Sequence, residues 1–131
     1  MTADLVQFLR SRLDEDEAVA QGATGSEWGD VDPQQPYVIW DVQAREKNRT
    51  LLTVGRLATA ERAEDRAHIA RHDPARVLCE VAAKRRIVDH LASELSATDT
   101  PWWYDDRLTP ALKALALPYA DHPDYRDEWR P

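Results

Sequence analysis

The chain has 131 residues with 43% hydrophobic and 31% charged side chains, which predicts one globular domain over residues 1–131 and leaves no room for a second core. No apolar run exceeds four residues (Ala114 to Leu117 is one) and no basic-led apolar segment follows Met1, so the expectation is a cytoplasmic protein without membrane attachment. The net charge of −7 concentrates at the ends, with eight acids against two Arg in residues 1–32 and seven against four basic residues in 99–131, which leaves no basic patch for direct nucleic-acid binding.

Leu5, Phe8, Leu9 and Leu13 recur at helical spacing and predict a first helix over residues 3–20, with Arg10, Arg12, Asp14 and Asp16 off the apolar stripe. Gly22, Gly25 and Gly29 with Pro33 and Pro36 then mark a long loop, which Trp28 is expected to pin to the core. Two β-rich runs follow, Tyr37 to Val42 and Thr50 to Val54, joined by the polar stretch Gln43 to Arg49, and these predict an antiparallel hairpin laid against the helices. Thr59 is placed to cap a short helix ending near Arg71.

Asp73-Pro74 combines an N-cap residue with proline at the first helical position and predicts the start of the main helix. Its apolar positions, Val77, Val81, Val88, Leu91 and Leu95, form a stripe widened by Leu78, Ala82 and Ile87, which makes this helix of about 22 residues the spine of the core. Cys79, the one cysteine, rules out an intramolecular disulfide and reads as a small buried hydrophobe. Residues 96–107 read as a loop, Thr109-Pro110 as the opening of a last short helix, and Pro118 as its end. In the tail, Tyr125 and Trp129 stand four apart and would share one face of a turn docked on the domain. The predicted fold class is α+β and mainly helical, about four helices around one long central helix with a small antiparallel β-hairpin.

His68 and His72 stand four apart at a spacing suited to two ligands of a transition metal, but a site needs three or four, and the motif HExxH is absent because Ile69 follows His68. The alternative for His72 is a bond to the helix C-terminal carbonyls. The acidic run Asp14, Glu15, Asp16, Glu17 offers either a solvated face or a docking surface for a basic partner, a nucleic-acid mimic included. Trp102, Trp103 and Tyr104, between Pro101 and Asp105, form an aromatic cluster of the kind that serves as an interface hot spot or as a lid over a core. Four glycines, none in a phosphate-cradling arrangement, exclude a P-loop or dinucleotide fingerprint, and no GxSxG or cysteine–histidine pairing assembles.

The segments DLVQFLRSRLDEDEAVA (Asp4 to Ala20), HIARHDPARVLCEVAAKRRIV (His68 to Val88) and LPYADHPDYRDEWRP (Leu117 to Pro131) together resemble a family of uncharacterised proteins from actinobacteria and their phages. The resemblance implies no activity. Its members often carry cysteines between the long helix and the final segment, suggesting a metal knuckle, whereas Thr98 to Arg107 here contains none.

These features predict a non-enzymatic binding or regulatory protein that acts through a protein partner, with no catalytic residues and no cofactor, and they are compatible with a homo-oligomer. The partner face is expected at Trp102, Trp103 and Tyr104 or at Asp14, Glu15, Asp16 and Glu17. Two alternatives stand beside it: a metal-binding domain or metal-dependent enzyme using His68 and His72, and an acidic nucleic-acid mimic.

Overall fold

The computed structural model describes residues 2–23, 27–29, 41–46, 49–56, 63–97, 99, 101 and 103–131, with side chains for 2–23, 67–97, 99, 101 and 103–131. The chain forms two compact units, one of Met1–Asp16 with Val81–Pro131 and the other of Glu17–Glu80. Helix α1 spans Thr2–Gly22, strands β1, β2 and β3 span Glu27–Gly29, Asp41–Glu46 and Arg49–Arg56, and helices α2, α3 and α4 span Ala63–Arg71, Pro74–Ser96 and Tyr104–Ala116. Two single 3₁₀ turns follow, Leu117–Tyr119 and Asp127–Trp129.

Every regular element of the first unit is a helix or 3₁₀ turn, and among its described residues there is no β-strand. Leu5, Leu9 and Leu13 of α1 recur one turn apart and are each 1% exposed, facing a core shared with Val81, Val88 and Leu91 of α3 and Leu112 and Ala116 of α4. In this unit Arg10 reaches Asp89 at 2.8 Å and Arg85 reaches Asp14 at 2.6 Å, so residue numbers rise on α1 as they fall on α3 and the two segments run antiparallel. Both pairs have exposed members and contribute a few tenths of a kcal/mol at most, so they set register more than stability.

The C-terminal tail is docked, but not through the expected helical turn carrying Tyr125 and Trp129 on one face: Arg126 is extended and only Asp127–Trp129 form a 3₁₀ turn. Phe8 of α1 sits in a ring of side chains from residues 119–129, with centroids at 6.4 Å from Tyr119, 5.8 Å from His122, 5.9 Å from Tyr125 and 5.0 Å from Trp129. Tyr125 and Trp129 meet edge to face at 5.7 Å. Edge-to-face rings place positive ring edges against negative faces, a preference that adds to the burial of the rings themselves.

Four further expectations for this unit are corrected. Residues 104–107 are helix, not loop: Asp105 and Asp106 in the first turn of α4 suit the positive end of its dipole. Pro110 consequently lies inside α4 rather than opening it. It removes one main-chain bond, and burial of Leu112 and Ala116 beyond it holds the helix together. Arg12, expected off the stripe, is buried, because a residue three beyond Leu9 and four beyond Phe8 lies on the same helix face as they do. Ile87 and Ala82 do not widen the stripe of α3; both are exposed, Ile87 by 46%.

In the second unit the strands form one antiparallel sheet in the order β1-β2-β3. Trp28 pairs with Ala44 across β1 and β2, and Ala44 with Leu52 across β2 and β3, with register shifts at Val42/Gln43 and Ala44/Arg45. The expected α+β fold with a small two-stranded hairpin is therefore corrected: among the described residues the helical unit has no strand, and the strands that do form make a three-stranded sheet with different boundaries. Gln43, Arg45 and Glu46, read as a connecting loop, belong to β2, while Tyr37 to Trp40 lie outside the described residues. A polar residue in every second place is the pattern of a half-buried strand, and it extends the run beyond its apolar beginning. The expected anchoring by Trp28 concerns a side chain outside the described residues, as does Thr59 before α2.

The start of α3 follows the sequence rule. The amide of Arg76 donates to Asp73 Oδ1 at 2.8 Å, which makes Asp73 the N-cap and Pro74 the first helical residue. Cys79 is exposed, not buried, because it stands two residues from both Val77 and Val81 and points away from their stripe.

Candidate functional site

All four carboxylates of the acidic run are engaged within the chain. Arg85 binds Asp14, Arg12 donates from both terminal nitrogens to Glu15 at 2.9 Å, the Tyr119 hydroxyl donates to Asp16 at 2.5 Å, and Gln21 donates to Glu17 at 3.2 Å. These contacts offset the like-charge repulsion and the opposition to the helix dipole that such a run carries at the end of a helix. Burial first, and the bond to Asp16 second, hold the Tyr119 phenol well above its ordinary pKa.

That shift sets an alkaline limit. The native state binds the Tyr119 proton more tightly than the unfolded chain does, so the stabilisation is complete below about pH 10 and is lost as pH rises through the folded value. Tyr119→Phe is expected to cost about 1 kcal/mol at neutral pH through the lost hydrogen bond. The gap between the melting temperatures of the two proteins should narrow as pH rises above about 10; a gap that stays constant from pH 7 to pH 12 would refute the assignment.

His68 and His72 lie together near the end of α2, with ring centroids 4.4 Å apart. His72 donates from Nδ1 to the His68 carbonyl oxygen at 2.8 Å, the alternative role expected for a histidine at a helix C-terminus. Among the described residues no group of three or more His, Cys, Asp or Glu is arranged to hold a metal ion.

Of the aromatic cluster, Trp102 lies outside the described residues, and Trp103 and Tyr104 stand at the start of α4. Trp103 is 41% exposed yet held in place: the Arg107 guanidinium lies 4.9 Å from its ring centroid, and Tyr104 meets it at 5.7 Å and 64°. Tyr104 donates its hydroxyl to Glu94 of α3 at 2.8 Å, and this bond, followed by the Glu94 charge, raises its pKa. Trp103 and Tyr104 thus form a partly exposed aromatic pair at the start of α4.

Sequence reasoning missed a third arrangement. A cleft of about 260 Å³ lies between α1 and the tail, lined by Asp4, Phe8, Arg12, Asp124, Arg126 and Trp129 among others. Arg12 Nε, Trp129 Nε1 and the Tyr125 hydroxyl are buried without a hydrogen-bond partner. The available signal was positional: Arg12 falls on the stripe of Phe8 and Leu9, where a charge is costly unless something answers it.

Among the described residues no helix is long and apolar enough to cross a membrane. Neither a curated protein nor a solved structure matches the chain. One family does, over residues 2–131, and by that match the chain belongs to DUF6221, a family of unknown function.

Proposed function

We propose that this protein is a non-enzymatic binding module whose partner is another protein, contacted through the start of α4. The observation that carries the reading is Trp103, an exposed indole already fixed by Arg107 and Tyr104. Trp, Tyr and Arg dominate the energetics of interfaces, and a side chain ordered in advance loses less entropy when a partner covers it. The acidic run supports a docking or nucleic-acid-mimic role less well, since its carboxylates already have intramolecular partners. The metal reading rests on the His68 and His72 pair alone, and one of those four ring nitrogens is committed to a main-chain carbonyl.

The working place we propose is the cytoplasm of an actinobacterium or of its phage-infected cell, supported by the three resembling segments and by the short apolar runs. The test is quantitative affinity capture with the wild-type chain and with Trp103→Ala. This variant alters an exposed side chain, so its melting temperature should match the wild type within about 2 °C. Proteins captured by the wild type should drop at least about tenfold with the variant, the loss expected of a hot spot worth over 1.4 kcal/mol. An identical set captured at identical yield would remove Trp103 from the interface and the reading with it.

A further inference from the structure

The cleft between α1 and the C-terminal tail has an unmet need for acceptors. The Arg12 side chain is 9% exposed, and Glu15, the partner of its two terminal nitrogens, is 64% exposed. A guanidinium carries five N–H donors; Glu15 takes the end-on pair and leaves the side edge, where Nε is buried and unpartnered. Trp129, 3% exposed, brings a second unpartnered donor in its indole N–H. Neither group can accept a hydrogen bond, so what is missing at both is an acceptor.

These donors gather around one ring. The Arg12 guanidinium lies 5.5 Å and the Trp129 ring 5.0 Å from the Phe8 centroid, and Tyr125, whose buried hydroxyl is also unpartnered, lies 5.9 Å from it. Buried polar groups without partners are rare in native proteins, and two of these three belong to residues that line the cleft, Arg12 and Trp129. A buried cation balanced mainly by a solvent-exposed carboxylate is the matching electrostatic feature.

We propose that this cleft binds a small organic carboxylate, held side-on by the free edge of the Arg12 guanidinium and bonded by the Trp129 indole N–H, with its apolar body against Phe8. A carboxylate fits the planar edge of a guanidinium with two parallel bonds. The rim selects against a more highly charged anion: Asp4, already paired with Arg126 at 2.9 Å, and Asp124, 78% exposed, both lie there. The ring floor rewards an apolar body that inorganic phosphate lacks. This site is separate from the Trp103 surface and does not depend on it.

The experiment uses the full chain labelled with nitrogen-15, titrated with benzoate and, separately, with inorganic phosphate at equal ionic strength. Benzoate is expected to move the Trp129 indole resonance saturably and to raise the melting temperature, as any ligand specific to the native state does. Phosphate should do neither. Arg12→Lys keeps the positive charge but lacks the side edge, and it should weaken benzoate binding at least about tenfold. No movement of the Trp129 resonance with benzoate, an equal response to phosphate, or undiminished binding by a folded Arg12→Lys protein would each overturn the proposal. If Arg12→Lys does not fold, the contrast between benzoate and phosphate on the wild type decides it.

Discussion

Val81→Asp is expected to abolish the cooperative thermal transition of the helical unit. Val81 is 2% exposed in the middle of the α3 stripe, with Val88 at 1% and Leu91 at 8% further along the same face. A carboxylate there would lose its hydration without a partner, at a cost of several kcal/mol, comparable with the whole stability of a domain this size. Val81→Ala provides the graded control. Removing two methyl groups costs about 2 kcal/mol with its cavity, and should lower the melting temperature by roughly 8 °C while the transition stays cooperative. Circular dichroism on both variants checks the assignment, and an Asp variant melting with the wild type would place Val81 outside the core.

The parts of the fold legible in the sequence are those where one local rule acts alone. Asp73-Pro74 announces α3 because a cap and a preorganised proline serve the same helix end, and Arg76 closes the cap as expected. Leu5, Leu9 and Leu13 announce α1 by period alone. Reading failed where two tendencies compete. Pro110 signals a helix start, but the acids at 105 and 106 favour an earlier one, and the buried Leu112 and Ala116 keep the helix continuous across the proline. Arg12 reads as surface by its charge and as core by its place, and its place prevails with the Phe8 ring beneath its guanidinium and Glu15 taking its two terminal nitrogens.

The site was legible to a similar degree. The aromatics at 103 and 104 were visible as a cluster, but whether they covered a core or faced outward depended on Arg107 and Glu94, which a sequence alone does not bring beside them. The acidic run was visible as charge, while its neutralisation by Arg85 and Tyr119, 71 and 103 residues away, was not. The orphaned donors around Phe8 require α1 and the tail, more than 100 residues apart in the chain, to meet, and no spacing in the chain encodes that.

Deleting residues 119–131 is expected to destabilise the helical unit by an amount comparable with truncating a core tryptophan to alanine, about 3–5 kcal/mol, and to lower the melting temperature by more than about 10 °C. Proline-rich charged ends usually fray, and this one has only 3₁₀ turns to order its backbone. What fixes it is the burial of Trp129 against Phe8 at 5.0 Å, the Tyr119 bond to Asp16, and the Arg126 bond to Asp4. The exposed ion pair contributes least of the three, so the indole should dominate. Trp129→Ala should therefore reproduce most of the loss, and Arg126→Ala little of it. Combined with Phe8→Ala, Trp129→Ala should cost less than the sum of the two single changes, because two rings in contact share one interaction. Hydrogen exchange gives an independent readout: the amides of Tyr125, Trp129 and Arg130, bonded to the carbonyls of His122, Arg126 and Asp127 at 2.9–3.1 Å, should be protected relative to a free peptide. A truncated chain that melts with the wild type, together with peptide-like exchange at those three amides, would show that the tail is not held by the body of the protein.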